Sequence, residues 1–130
     1  MLQNKRKPGL RFRLLSFKYA FQGLSQVFSN EVNFRIHMAA AILVVGLGVL
    51  LRISKTEWLV IIFCIGWVAA MEIMNTAVER LVDLVSPKHS NKAKLIKDMA
   101  AAGVLVAAIV AALAGVMVFL PHFLSLFKQL

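Results

Sequence analysis

The chain has 130 residues, 60% hydrophobic and 16% charged, and its 15 Lys and Arg against 6 Asp and Glu give a net charge of +9. That length allows one domain, and the composition is too apolar and too poor in charge for a water-soluble globule, which typically carries about 45–50% apolar and about 25% charged residues. A nucleic-acid partner is excluded for the basic excess, because the middle and end of the chain have almost none of the cations such a surface needs. The bilayer is the expected solvent. The single cysteine, Cys64, stands between Phe63 and Ile65 in an apolar run, which rules out an intramolecular disulfide and reads as a packing position. The basic N-terminus (Lys5, Arg6, Lys7, Arg11, Arg13) is not followed by the apolar core and cleavage site of a signal peptide, so the mature chain is expected to start at Met1.

In chain order, Leu10, Leu14, Phe17, Phe21, Leu24 and Phe28 recur at alternating spacings of 4 and 3, which predicts an amphipathic helix over about 10–30, with Arg11, Lys18 and Gln22 on one flank. Such a helix either lies in the headgroup layer, drawn to anionic lipid by its cations, or packs on a membrane bundle. Three apolar stretches follow, to be set against the roughly 20 helical residues needed to cross the hydrocarbon core. The first, predicted as a span over about 34–54, is short unless its flanks snorkel. The second, over about 58–85, is free of charge as far as Met71 and keeps a helical pattern towards Pro87. The third, over about 97–120, carries no charge from Met99 onward and is expected to stop at Pro121. Residues 52–57 are a turn between antiparallel helices.

Charge then orients the chain. Residues 1–35 hold seven Lys or Arg and residues 86–98 hold four, whereas the first connection holds Arg52 and Lys55 and the C-terminus Lys128. Positive flanks stay inside, so the N-terminus and the 86–98 loop are expected on the cytoplasmic side of a cytoplasmic (inner) membrane. The expected fold is an all-α membrane protein, one interfacial helix and three transmembrane helices in a single domain over 1–130.

The chemistry concentrates in the run from Glu72 to Asp83, EIMNTAVERLVD. At about 100° per residue, Asn75, Glu79 and Asp83 fall within about 60° of Glu72 and form one acidic stripe. Glu72 follows fourteen uncharged residues, and a charge that deep costs a few kcal/mol or more unless it is paired or faces water. It is therefore expected to face the bundle interior or a cleft. A partly desolvated carboxylate suits a general base, and carboxylates nearer the interface suit Mg²⁺, which takes one or two of them and completes its shell with water and phosphate oxygens. Glu31, beside Asn30 and Asn33, is the other acid at this depth. Lys94, Lys97 and Arg80 supply cations for phosphates, so the parts that phosphoryl transfer needs are present. The competing reading is a polar seam that specifies helix pairing. Neither GxxxxGK[ST] nor a kinase glycine loop occurs. Gly46 and Gly48 read as close-packing positions, His37 and His122 as polar residues at the membrane boundary, and His89 beside Lys88 as a candidate ligand contact.

The run EIMNTAVERLVD, with Lys97-Asp98 opening KDMAAAGVLVAA fifteen residues after Asp83, resembles the bacterial diacylglycerol kinase and undecaprenol kinase family. NEVNFRIH from Asn30 to His37 and KYAFQG from Lys18 to Gly23 resemble it too, and the match covers about 11–120. The resemblance implies a homotrimer of three-span protomers that shares active sites between subunits at the cytoplasmic face and transfers the γ-phosphate of MgATP to a membrane alcohol. By position it makes Glu72 the catalytic base and Asn75 a positioning group for the hydroxyl. It makes Glu31 and Glu79 the Mg²⁺ carboxylates, and Tyr19, Lys97 and Asp98 nucleotide contacts. Lys88, His89 and Ser90 stand where members often have an acidic residue, Tyr and His that contact the nucleotide, and the N-terminal substrate contact falls on Arg11 or Arg13. A trimer would also shelter Glu72, Asn75 and Glu79, with the small residues of the third span (Ala100, Ala101, Ala102, Gly103, Ala107, Ala108, Ala111, Ala112 and Gly115) allowing close helix approach.

Members that act on diacylglycerol tend to carry Gly-Ser after the Lys-Asp pair, near the lipid headgroup; this chain reads Met99-Ala100-Ala101. An Ala pair cannot hydrogen-bond a second oxygen, and losing such a bond at a buried site costs about 1–3 kcal/mol. A polyprenol has one hydroxyl and needs no such partner, and the NFRIH segment and Pro121 also look more like the undecaprenol kinases. Undecaprenol is thus the expected substrate and diacylglycerol the alternative. A proton-coupled transporter titrating at Glu72, or a non-catalytic assembly subunit, are the readings from other classes; the transporter gives no role to Glu31, Lys97 or Asp98.

Overall fold

The chain forms four helices in a computed structural model that describes the backbone at 10–88 and 90–128 and the side chains at 15–88, 90–126 and 128. They are α1 (Leu10–Asn30), α2 (Val32–Leu50), α3 (Lys55–Val85) and α4 (Asn91–Phe127). The last three are long and apolar enough to cross a membrane. The protein is thus an all-helical, multi-pass membrane protein.

A single extended residue, Glu31 (φ −102°, ψ 112°), separates α1 from α2. The first span therefore starts at Val32 rather than 34, and it ends at Leu50 rather than 54. Its end is a Schellman closure: Arg52 N–H donates to Val49 O (3.2 Å) and Ile53 N–H to Gly48 O (3.2 Å). The αL residue this motif requires is usually glycine, but here it is Arg52, at φ 51°. Gly48 is needed for a different reason. A Cβ there would lie 3.0 Å from both Ile53 Cδ1 and Trp58 Cη2. The next helix begins at Lys55 rather than 58, because Ser54 and Glu57 form a capping box: Ser54 N–H donates to Glu57 Oε2 (2.7 Å) and Glu57 N–H to Ser54 Oγ (3.3 Å).

The third span departs furthest from expectation. It starts at Asn91, so Lys97 and Asp98 lie in its second turn, and it runs through Pro121 to Phe127. A proline inside a helix removes one hydrogen bond and costs about 3 kcal/mol, a cost that the contacts of its neighbours must offset. Packing on both sides of Pro121 opposes a break. Val118 and Phe119 are buried with Ile53 and Ile61, and His122 Nε2 lies 3.0 Å from Glu57 Oε1 at the start of α3.

α3 is the hub. α4 packs antiparallel along most of it, α2 packs on another face, and α1 meets α2 and α3 only weakly. Gly103 lets α4 approach α3 so closely that a Cβ would lie 2.7 Å from Met71 Cε, whereas Gly46 and Gly115 face open space. At 1.5 Å per residue, the 31 residues of α3 extend about 46 Å, against roughly 30 Å of hydrocarbon. With Ser54 at one boundary, Glu72 falls inside the hydrocarbon, while Glu79 and Asp83 reach the opposite interface. Large apolar side chains such as Leu43, Phe63, Leu105 and Met117 remain exposed along all three spans, as lipid-facing or partner-facing surfaces require. On α1 the Phe17, Phe21, Leu24 and Phe28 stripe is also exposed, and Val27 is its one buried residue among the described side chains. The chain's own bundle therefore does not cover that stripe. The expected interactions of Leu10, Leu14, Arg11 and Arg13, and of His89, lie outside the described residues.

Candidate functional site

Helical spacing on α3 sets the acidic stripe in a row, and the flanking helices decide what each member meets. Glu72 is 3% exposed, and His37 Nε2, from α2, lies 3.2 Å from its Oε1. One turn on, Asn75 Nδ2 donates to Glu79 Oε1 (3.0 Å), while Asn75 Oδ1 is buried without a protein partner. A cleft of about 180 Å³ opens between these groups, lined by Asn33, His37, Glu72, Asn75, Ala101 and Val104. Glu72, Asn75 and Ala101 thus border one space, with Ala101 on its α4 wall.

Towards the interface, Arg80 bridges α1 and α2 by donating to Gln26 Oε1 (3.3 Å) and Glu31 Oε1 (3.4 Å). Because Arg80 follows Glu79 directly, this bridge brings the Glu31 carboxylate to the same end of the site as Glu79. No cluster of three or more metal-ligating side chains is found among the described residues, and the oxygen donors at this end, the Glu31 and Glu79 carboxylates, are engaged by Arg80 and Asn75; carboxylates are the donor type that Mg²⁺ takes, one or two at a time.

A second space lies beyond the end of α3. Asp83, Ser86, Lys88, Ser90, Asn91, Lys94 and Lys97 line a pocket of about 490 Å³. Lys97 Nζ donates to Asp83 Oδ1 and Lys94 Nζ to Asp98 Oδ2 (2.7 Å). Lys88, Ser90 and Lys97 come together at this pocket, but Asp98 is turned to Lys94 and does not line it. Tyr19 is 63% exposed on α1 and borders neither space.

The model of the prokaryotic diacylglycerol kinase family matches residues 18–119, a stretch that holds all of these carboxylates and cations. The chain belongs to that family. Among curated relatives, an undecaprenol kinase of Bacillus subtilis (strain 168) is 41% identical over 82% of this chain and 86% of its own length. A diacylglycerol kinase of Synechocystis sp. (strain ATCC 27184 / PCC 6803 / Kazusa) is 40% identical over 87% of this chain and 65% of its own length. A diacylglycerol kinase of Escherichia coli (strain K12) is 30% identical over 81% of this chain and 86% of its own length.

For this diacylglycerol kinase family member, His37 is the site residue that sequence reasoning misplaced. Read alone it is a boundary residue, yet packing sets it against the buried Glu72. The available signal was Glu72 itself, since an acid that deep calls for a polar partner. His122 keeps its boundary position and meets Glu57 there. The Gln26–Arg80–Glu31 bridge carried no sequence signal, because its members are some fifty residues apart.

Proposed function

We propose that this membrane lipid kinase transfers the γ-phosphate of ATP to undecaprenol at the cleft between Glu72, His37, Asn75 and Ala101. The observation that carries the reading is the buried Glu72 carboxylate facing a small cleft beside an acceptor, Asn75 Oδ1, that no protein group satisfies. A lipid hydroxyl is the donor this space has room for. As the hydroxyl oxygen bonds to the γ-phosphorus, Glu72 takes its proton, the bond from that phosphorus to the bridging oxygen breaks, and ADP leaves. Asn75 orients the hydroxyl, and its amide holds Glu79 in place. Glu31 and Glu79 would hold Mg²⁺, whose charge would offset that of the phosphates. Lys88, Ser90, Lys94 and Lys97, with Tyr19, Asp98 and His89, are the proposed nucleotide contacts, and Arg11 or Arg13 a lipid contact.

Support for undecaprenol over diacylglycerol comes from the walls of the cleft. Ala101 and Val104 face it from α4, so that side offers no side-chain partner to the ester and second oxygen of a diacylglycerol headgroup. The reading also includes a homotrimer with the α3–α4 connection and α1 on the cytoplasmic side, α1 lying in the headgroup layer, and sites completed by a neighbouring subunit. Tyr19 borders neither space within one chain, which is the reason for that last element.

The test is phosphorylation by purified protein in mixed micelles with labelled ATP, with and without Mg²⁺. Undecaprenol is expected to give the larger kcat/KM, dependent on Mg²⁺. A clear preference for diacylglycerol would overturn the substrate choice, and no transfer to either lipid would overturn the reaction.

A further inference from the structure

Asn33 is the polar side chain of the Glu72 cleft to which the reaction described so far gives no part. It stands in the first turn of α2 and lines the cleft together with His37, one turn further along the same helix, because residues four apart share a helix face. Its neighbours fix its place between the two ends of the site. His37 lies 3.2 Å from Glu72, at the deep end. Glu31, two residues before Asn33, lies 3.4 Å from Arg80, which follows Glu79 at the interfacial end. Asn33 therefore sits between the deep carboxylate and the Glu31 and Glu79 pair. A phosphoryl group passing from a nucleotide to a hydroxyl at Glu72 has to cross that interval, since reacting atoms must come within about 3–3.5 Å of each other. The charge on its oxygens calls for hydrogen-bond donors, and the rest of the lining has few. Ionised Glu72 only accepts, His37 turns Nε2 to Glu72, and Asn75 commits Nδ2 to Glu79. Ile36, Ala101 and Val104 bring no polar side-chain atom. The Asn33 amide is exposed and takes no part in a hydrogen bond among the described residues, so its donor is uncommitted.

We propose that Asn33 is a catalytic residue whose amide N–H donates to a non-bridging oxygen of the γ-phosphoryl group as that group passes to the lipid hydroxyl. The inference rests on the kinase reading of the cleft and adds to it the side chain that stabilises the moving charge. The hydroxyl oxygen bonds to phosphorus, the bond from phosphorus to the bridging oxygen breaks, ADP leaves, and the hydroxyl proton goes to Glu72; Asn33 neither gains nor loses a proton. A neutral amide suits this position because it supplies a donor without a cation that would pair with Glu72. Since the hydrogen bond strengthens as charge develops on the phosphoryl oxygens, its loss falls on kcat rather than on KM.

The test compares wild-type, Asn33→Ala and Asn33→Asp proteins in mixed micelles, with the lipid alcohol that the wild type phosphorylates faster, using ATP and its analogue with sulfur on the γ-phosphorus. Asn33→Asp keeps the shape and removes the donor, which separates loss of the hydrogen bond from loss of packing. For both variants kcat with ATP is expected to fall by roughly tenfold to a hundredfold, at or below the lower end of what one such donor contributes in a closed site, with KM for ATP and lipid little changed. Sulfur accepts hydrogen bonds poorly, so the change from ATP to the thio analogue is expected to slow the wild type more than it slows Asn33→Ala. An equal slowing of the two proteins would overturn the proposal, as would an unchanged kcat. A loss confined to KM for the lipid would place Asn33 on the acceptor alcohol and overturn it too. Size-exclusion chromatography and binding of a fluorescent ATP analogue follow assembly and nucleotide affinity in the same samples, and a fall in kcat that tracks the loss of either would make Asn33 a structural residue. If the wild type phosphorylates neither undecaprenol nor diacylglycerol, the kinase reading fails and this inference with it; if the wild type is active and the variants match it, only this inference fails.

Discussion

In the proposed reaction a single carboxylate takes the hydroxyl proton, and its surroundings explain why the substitution Glu72→Gln is informative. Gln has the same volume and can occupy the same buried position beside His37, but it cannot accept the hydroxyl proton. Phosphotransfer is expected to fall by about 10² to 10⁴-fold, with nucleotide binding and oligomeric state retained; more than a tenth of wild-type activity would rule out the base role. His37 acts on the reaction through Glu72, 3.2 Å away, so it is a positioning residue. His37→Ala is expected to lower kcat by tenfold or more with KM for ATP unchanged, and His37→Gln, which restores a polar group, to recover part of the loss. Steady-state kinetics on the pair check this, and a change confined to stability would show that His37 only packs.

The elements are joined by contacts whose strength can be tested one at a time. Gly103 allows α4 to meet Met71 of α3. The atom a new Cβ would strike is the flexible end of the methionine, so Gly103→Ala is expected to cost well under 1 kcal/mol. Gly103→Leu cannot be absorbed that way and is expected to cost about 1–3 kcal/mol by overpacking. Detergent-induced unfolding followed by helical signal measures both, and equal costs would show that the approach is not tight. At the α2–α3 turn the sign reverses. Arg52 holds φ 51°, a conformation that costs a side-chain-bearing residue about 1–2 kcal/mol, while glycine adopts it freely. Arg52→Gly is therefore expected to stabilise the protein by about 1 kcal/mol in the same assay, and a loss of stability would place the value of Arg52 in its charge at the membrane surface.

At the scale of the whole molecule, one chain leaves Tyr19, Glu31, Glu79 and Asp98 outside both spaces, while large apolar faces of every span stay uncovered. Both features are expected of a protomer whose site is completed by a neighbour. If nucleotide contacts and the base come from different subunits, Glu72→Gln and Tyr19→Ala proteins, each impaired alone, are expected to regain a measurable fraction of wild-type activity when unfolded and reassembled together. Activity that stays at the level of either variant would show that each chain carries a complete site.

Much of this was legible in the sequence because it depends on local rules. The 4 and 3 spacing from Leu10 to Phe28 specified α1, hydropathy specified three spans, and the wheel from Glu72 to Asp83 placed Asn75 and Glu79 beside the deep acid, because helical periodicity fixes which side chains share a face. Even the early start of α3 was written there, in Ser54 and Glu57. Other features were set by contacts between segments distant in sequence. Pro121 looked like a stop, yet Val118, Phe119 and His122 hold the helix on either side of it. His37 became the partner of Glu72, and Gln26 and Glu31 the partners of Arg80, only once α1 and α2 came to rest against α3. The cleft at Glu72 has the same cause: periodicity says which side chains share a face of a helix, but only the way α2 and α4 pack on α3 decides what space that face lines.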